Sequence, residues 1–198
     1  NYSSKHIWSS IDHVVLPYHW DNRDKLVADY IYLEEFYERV LSSLVIKLNE
    51  IHSVDHSDRY WRIIIGPWLG RFLQILYDRW SSLSQASSLF ELGETIIVDY
   101  PLESVIPCDA KNFGDLYTRD PWNHFLYGYI LTSQDKVACS RILPRHSDLD
   151  YTVLRTKNQN FEGPFRRITN FLKDLMFYTQ WVGIPLECLQ KMLLDKII

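Results

Sequence analysis

A long run of apolar residues at helical spacing constrains the fold of this chain more than any other feature. Between residues 26 and 51 apolar side chains recur every three or four positions, which is the period of one face of an α-helix. Asp21 precedes this stretch and is a suitable N-cap, so a helix is predicted to begin near Asp21. The apolar stripe consists of Leu26, Tyr30, Leu33, Tyr37, Val40, Leu44, Leu48 and Ile51.

A second helical pattern follows a short linker at residues 52–56, and Asp55 or Ser57 can cap it. A link this short favours antiparallel packing of the two helices. Gly66-Pro67 interrupts the second pattern. Because proline lacks an amide hydrogen and clashes with the preceding turn, the sequence predicts either a kink or two helices that meet there.

The rest of the chain is predicted to add further helices and one or two short strands. Consecutive β-branched residues predict a strand over 94–99, and residues 11–16 can form another. Asp120-Pro121 is a strong helix start, with aspartate as N-cap and proline in the first turn. Gly163-Pro164 is expected to begin a further helix.

No composition shift divides the chain, so residues 1–198 are expected to form one helix-rich domain, mainly α with one or two short strands. Residues 133–160 are polar and predicted to be irregular, which makes them the weakest join. The last residues, 193–198, keep an apolar helical pattern without a stop signal. We therefore expect the chain to be a fragment of a longer protein.

Composition excludes several classes of protein. The net charge of −4 and pI of about 6.0 leave no net positive charge for nucleic-acid phosphates. A hydrophobic content of 46% argues against disorder. No basic segment followed by an apolar segment is seen, so no signal peptide is expected, and no apolar run approaches the ~20 residues of a membrane span. Cys108, Cys139 and Cys188 are isolated and are expected to be reduced core thiols of a cytoplasmic protein.

The first candidate for chemistry is the motif Pro17-Tyr18-His19-Trp20-Asp21. A histidine between two aromatic rings and near a carboxylate can act as a general base. Burial would keep His19 neutral, and Asp21 would orient its ring. The alternative is structural: Asp21 caps the following helix, a flanking aromatic forms a hydrophobic staple, and His19 is incidental.

The second candidate lies in the second helix. Arg59 and Arg62 are three residues apart on one helical face, where two guanidinium groups suit a diphosphate or a carboxylate. Trp61 and Trp68 are two turns apart on one stripe and can floor a sugar or base pocket. The proline break favours this interpretation, because a break in an apolar helix needs a local reason. The alternative is a core aromatic stripe with surface arginines paired to acids of the first helix.

The third candidate is Trp122 and Asn123, which can meet an anionic ligand at a helix N-terminus; plain helix capping is the alternative. Asp148-Leu149-Asp150 matches the metal-binding Asp-x-Asp pattern of some nucleotide-sugar transferases, a pattern that often arises by chance. The histidines show no metal-ligand spacing, and phosphate-binding glycine loops and nucleophile motifs are absent from the sequence. No metal and no cofactor is therefore expected.

Five aromatic-rich blocks follow one another in the N-terminal part of the chain: His6-Ile7-Trp8-Ser9, Pro17-Tyr18-His19-Trp20-Asp21, Arg59-Tyr60-Trp61-Arg62-Ile63, Gly66-Pro67-Trp68-Leu69 and Asp78-Arg79-Trp80. Their order and spacing resemble the N-terminal part of a transferase family from bacterial surface-carbohydrate (O-antigen) gene clusters. The resemblance is strongest over residues 5–80 and looser through Trp122-Asn123. Position 71 is arginine, where the family pattern favours an aromatic or apolar residue. The resemblance implies the helical N-terminal portion of a larger α/β protein with two glycosyltransferase-like lobes.

The resemblance implies a glycosyltransferase-like role in surface-polysaccharide (lipopolysaccharide O-antigen) synthesis, with a nucleotide-activated sugar donor and a glycan acceptor. The arginines would bind the diphosphate, the tryptophans would stack on sugar or base, and His19 or Asp21 would be the base. No nucleic acid and no membrane span is expected, which leaves peripheral contact with a membrane-linked glycan. The alternative is a non-catalytic helical module that binds a partner protein or acceptor glycan. The candidate residues are catalytic His19 and Asp21, and substrate-binding Tyr18, Arg59, Trp61, Arg62, Trp68, Trp122 and Asn123.

Overall fold

The computed structural model describes residues 5–101, 105, 107, 110–134 and 137–145. Within these residues the chain is mainly helical with two short strands, as the sequence predicts, and the structure shows that the two strands are parallel. The helix predicted from Gly163, the Asp148-Leu149-Asp150 motif, Cys108 and Cys188 lie outside them. The elements in chain order are α1 (Lys5–Trp8), a 3₁₀ turn (His19–Asp21), α2 (Arg23–His52), α3 (Asp58–Leu89), β1 (Glu94–Val98), α4 (Ala110–Leu116), α5 (Asp120–Gln134) and β2 (Ala138–Ile142).

Side-chain caps set where the two long helices begin. The N-cap of α2 is Asn22, whose side-chain oxygen accepts the Lys25 backbone N–H at 3.1 Å. The predicted cap, Asp21, is therefore wrong by one residue, because Asp21 belongs to the preceding 3₁₀ turn. Ser57 caps α3, as one of the two predicted alternatives.

The two long helices pack antiparallel, as the short linker between them predicts. Contacts across the pair move backwards along α2 as they advance along α3: the Trp61 indole donates to Asn49, Arg62 pairs with Glu38, and the Tyr77 hydroxyl donates to Asp29. The seam between the helices buries the main hydrophobic core, formed by Phe36, Val40, Leu41, Leu44, Val45, Leu48, Trp61, Ile65, Leu69 and Leu73.

The Gly66-Pro67 break does not divide the second helix. α3 runs as one helix from Asp58 to Leu89 with Pro67 inside it, so the prediction of two helices meeting there is wrong. Packing against α2 explains the glycine at position 66 instead. A Cβ at this position would lie 2.6 Å from the Tyr37 hydroxyl oxygen, so any larger residue requires the Tyr37 side chain to shift.

A β-α-β unit follows the helical pair. β1 and β2 are parallel, with Glu94 opposite Ala138 and Val98 opposite Ile142. The strand predicted at 94–99 is confirmed, whereas β2 corrects the prediction of irregular structure over 133–160. The predicted strand at 11–16 is wrong, since residues 12–18 have no regular structure. β-branched residues form a strand only where a neighbouring strand accepts their hydrogen bonds, and the observed sheet pairs β1 with β2 alone.

The helices of the β-α-β unit close a second core against α3. Ile97 of β1 packs so tightly on α5 that a Cβ at Gly128 would lie 2.8 Å from its Cγ2 atom. The His124 Nε2 atom accepts the Val98 backbone N–H at 2.8 Å, which ties β1 to α5. The buried members of this core are Leu76, Val105, Phe113, Leu116, Trp122, Leu126 and Ile130.

Two further sequence expectations concern the described residues. Cys139, on β2, is a half-buried free thiol. Among the helices that the structure describes, none is long and apolar enough to cross a membrane.

Candidate functional site

The segment before α2 is held by a histidine that is buried against α3. The side chain of His19 is only 3% exposed, and its Nε2 atom lies 2.9 Å from the Oδ1 atom of Asp78. Because a carboxylate accepts hydrogen bonds, Nε2 is the nitrogen that donates to Asp78, and the neutral form of this ring is then the Nε2–H tautomer. The other ring nitrogen, Nδ1, then carries a lone pair, and it has no hydrogen-bond partner among the described residues.

Asp78 continues this contact towards α5. Its second carboxylate oxygen accepts from the Arg79 guanidinium, whose Nε atom donates to the Asn123 side-chain oxygen at 3.0 Å. Burial raises the pKa of Tyr18, and the negative charge of Asp78 raises it further. A chain of four polar side chains, His19–Asp78–Arg79–Asn123, therefore links the 3₁₀ turn, α3 and α5.

A second buried carboxylate, Asp29 of α2, holds the same segment from the other side. It accepts hydrogen bonds from the Trp20 indole N–H at 2.9 Å, from the Tyr77 hydroxyl at 2.7 Å and from the Lys25 ammonium. Burial acts to raise the pKa of Asp29, but these three donors outweigh it and lower the pKa below its usual value. Burial, followed by the hydrogen bond to Asp29, raises the pKa of Tyr77 to about 12.

The structure replaces one predicted pairing with another. Asp21 is exposed in the 3₁₀ turn, and His19 is oriented by Asp78, which lies 59 positions further along the chain. Sequence reasoning missed both buried carboxylates. Asp29 leaves no clear signal, since the predicted apolar stripe runs through its neighbour Tyr30 and leaves Asp29 off it. Asp78 leaves none, because its burial depends on the N-terminal segment that folds over it.

In the predicted arginine and tryptophan cluster at the start of α3, most side chains make contacts within the protein. Trp61 is 4% exposed, and its indole N–H donates to Asn49 at 2.8 Å. Arg62 forms a two-pronged ion pair with Glu38, both contacts at 2.6 Å, which lowers the pKa of that carboxyl and raises that of the guanidinium. This arrangement matches the alternative of core tryptophan and surface arginine. Arg59 is exposed and makes no ion pair with any described residue.

Trp122 and Asn123 also make their contacts within the protein. Trp122 is 2% exposed and belongs to the second core, so its face is not available to a ligand in this conformation. Asn123 accepts from Arg79 and donates to the backbone oxygens of Tyr117 and Arg119 at 2.8 and 2.9 Å. Trp68 is half-buried between the two cores.

The structure therefore brings some candidate residues together and separates others. Tyr18, His19 and Asn123 gather around Asp78 and Arg79. Arg62 lies more than four helical turns before Asp78 on α3. At 1.5 Å per residue, the two residues are about 24 Å apart along the helix axis. The arginine pair and His19 thus do not form one site.

A cleft lies between α2 and α3, next to Trp20 of the 3₁₀ turn. Its volume is about 810 Å³, and its walls combine the aromatic rings of Trp20, Tyr30 and Tyr37 with polar side chains of both helices. A shallower depression of about 460 Å³ continues it along α3 past Gly66 and Pro67. Within the part of the chain that the structure describes, no three His, Cys, Asp or Glu side chains are grouped as metal ligands.

Comparison with known proteins gives a family. A family model described as LIC12162 family transferase matches residues 1–194. No curated protein and no solved structure matches the chain significantly. The matched range includes both the His19–Asp78 pair and the cleft between the long helices. The chain therefore belongs to the LIC12162 family of transferases.

Proposed function

We propose that this chain takes part in glycosyl transfer from a nucleotide-activated sugar to a glycan acceptor, in the cytoplasm, during synthesis of a bacterial surface polysaccharide of the O-antigen type. Membership of a transferase family supports a group transfer. The observation that carries the proposal is the buried His19–Asp78 pair at 2.9 Å. A carboxylate that orients a neutral imidazole is the usual arrangement for a general base.

In the proposed reaction, His19 Nδ1 takes the proton of an acceptor hydroxyl as that oxygen bonds to the anomeric carbon of the donor. The bond between the anomeric carbon and the diphosphate oxygen breaks, and its electron pair leaves with the nucleoside diphosphate. Asp78 stabilises the imidazolium that forms. Because Nδ1 is buried in the free protein, acceptor binding must open the segment around Tyr18.

The leaving diphosphate needs positive charge close to the anomeric carbon. Arg59 and Arg62 are too far along α3 to stabilise a diphosphate at His19, given the separation of about 24 Å. Arg79 is the nearest guanidinium, since it contacts Asp78 directly. We therefore assign the diphosphate to Arg79 and expect Arg59 and Arg62 to contribute only to the wider binding surface.

The alternative function, a non-catalytic module that binds a partner protein or acceptor glycan, is favoured by one observation. The cleft between α2 and α3 is open to solvent, whereas the Nδ1 atom of His19 is buried. A module of this kind would bind glycan or protein without any response to nucleotides.

A thermal-shift titration with UDP, GDP, dTDP and CMP tests the proposal on the full chain. At least one nucleotide at about 100 times its Kd should stabilise the protein by about 2.7 kcal/mol. For a chain of this size, that corresponds to a rise in Tm of about 5–10 °C. Absence of any shift with all four nucleotides would refute a nucleotide-sugar donor and leave the binding module.

Turnover of the matching nucleotide-sugar then separates catalysis from binding. Asp78→Asn removes the negative charge that stabilises the imidazolium, so release of free nucleotide should fall by about 10²-fold or more while the nucleotide-induced shift persists. Asp21→Asn is the matched control, since Asp21 is exposed and separate from His19. Equal losses in the two variants would show that His19 is not the base.

A further inference from the structure

We infer that the cleft between α2 and α3 binds an uncharged saccharide, whose ring stacks on Tyr30 and whose hydroxyls bond to Glu35 and Gln74. This inference rests on the proposed function and deepens it, because it places the glycan acceptor beside the His19–Asp78 pair. The volume of about 810 Å³ falls within the range of ligand sites, about 300–1,000 Å³.

A glycine and the Tyr37 ring lie next to each other in the lining of the cleft. Gly70 lies on its floor, and the nearest atoms to a Cβ built there are ring carbons of Tyr37 at 3.7 and 3.8 Å. The Tyr37 ring therefore lies at ordinary van der Waals distance from this position and forms one side of the cleft. Leu26, Leu33 and Leu73 line the inner wall, so an apolar sugar face would meet apolar surface.

The aromatic walls are held in place before any ligand binds. Tyr30 is 56% exposed, yet its hydroxyl is bound to Glu34 one turn further along α2. The Trp20 indole is fixed by its hydrogen bond to Asp29 at 2.9 Å. An exposed ring that packs on no core and is nevertheless oriented lowers the entropy cost of stacking a ligand.

The charges of the cleft decide which saccharides fit. Glu38 is neutralised by Arg62, but Glu35 is exposed and has no ion pair within the described part of the chain. A carboxylate accepts hydrogen bonds from hydroxyl groups and repels a phosphate or a second carboxylate. Gln74 adds an amide that can both donate and accept. The cleft thus favours uncharged sugars over acidic sugars and nucleotides.

Trp20 connects the cleft to the proposed base. It lines the cleft, and its ring centroid lies 4.6 Å from that of His19. A saccharide bound against Trp20 would bring a hydroxyl near the segment that covers His19. The cleft is consequently placed to hold the acceptor, while a donor would approach from the Arg79 side.

A glycan array probed with the full chain tests this inference, using uncharged oligosaccharides, N-acetylated oligosaccharides and oligosaccharides that contain uronic or sialic acid. We expect binding among the uncharged or N-acetylated members. Tyr30→Ala should weaken it about tenfold, the loss expected for one stacked ring. Glu35→Gln should also weaken it, since an amide is a poorer acceptor than a carboxylate. Tyr60→Ala is the matched control, because Tyr60 is an exposed tyrosine outside the cleft.

Three results would overturn the inference: no binding to any uncharged or N-acetylated glycan, preference for acidic glycans, or binding that Tyr30→Ala and Glu35→Gln leave unchanged. The nucleotide-induced thermal shift distinguishes this failure from failure of the proposed function. Glycan binding without a nucleotide shift would retain the cleft and refute the nucleotide donor. A nucleotide shift without glycan binding would do the reverse.

Discussion

Replacing Asp78 by alanine is the perturbation to which the structure assigns the clearest consequence. The substitution removes the carboxylate that accepts from the buried His19 Nε2–H and pairs with Arg79. Among the described side chains, Asp78 is the one that hydrogen-bonds to Nε2. Unfolding the chain lets His19 and Arg79 recover water, so the loss of Asp78 destabilises the folded state selectively.

Three terms set the size of this effect. Leaving His19 Nε2–H unpartnered at 3% side-chain exposure costs about 1–3 kcal/mol. Arg79 is 24% exposed and keeps its contact with Asn123, so the lost ion pair adds at most about 1 kcal/mol. Alanine restores about 0.6 kcal/mol through its better helix propensity. The net destabilisation is therefore about 2 kcal/mol, or a Tm lower by about 4–8 °C for a chain of this size.

Thermal unfolding followed by circular dichroism measures this difference directly. Asp21→Ala is the control, because an exposed surface substitution should change stability by less than about 0.5 kcal/mol. Asp78→Asn keeps an acceptor oxygen for His19 and should fall between the two. The reasoning is refuted if Asp78→Ala unfolds within about 1 °C of the wild type, or if Asp21→Ala loses as much stability.

Three further substitutions probe packing and protonation. Gly70→Ala should stabilise α3 by about 0.5–1 kcal/mol, since its Cβ meets Tyr37 at ordinary distance. Gly66→Ala should instead be neutral or destabilising by up to about 2 kcal/mol, because overpacking against Tyr37 offsets that gain. Urea unfolding measures the stability of both variants, and equal gains in stability would contradict the close contact between Gly66 and Tyr37. Burial lowers the pKa of His124 from its usual 6.5, so the unfolded chain takes up the proton first and stability should fall as pH drops below about 6.5. His124→Gln, whose amide oxygen can still accept from Val98, should show a smaller fall in Tm between about pH 7.5 and 5.5, whereas an unchanged fall would exclude His124 as its source.

The two long helices show which features of the fold can be predicted from local sequence patterns and which cannot. The stripe from Leu26 to Ile51 predicts α2 almost to its ends, because burial of one face selects residues at helical spacing. The same local rules misplace its cap by one residue, and of their two alternatives at Pro67, a kink or two helices, the structure excludes the second. Capping and proline effects are each about 1–3 kcal/mol, small enough for tertiary packing on α2 to outweigh them.

The candidate site was predictable only in part. The sequence identified His19 from its aromatic neighbours, but its partner lies on another helix and leaves no local mark. For Trp61 and Trp122 the sequence suggested a binding role that the structure does not support. Their sequence motifs are compatible with stacking on a ligand, but in the structure the two side chains are 4% and 2% exposed and fill the two cores. Exposure, which separates a binding ring from a core ring, is a property of the packed molecule.

By itself, therefore, the sequence determined the helical class of this transferase, the antiparallel pairing of its two long helices and the position of its first strand. These follow from hydrophobic periodicity, linker length and β-branched runs, all of which act between near neighbours. Only the tertiary structure decided that Asp78 orients His19, that Asp29 holds Trp20 and that an open cleft lies beside them. Those contacts join residues that are distant along the chain, and they exist only after burial has brought the helices and the N-terminal segment together.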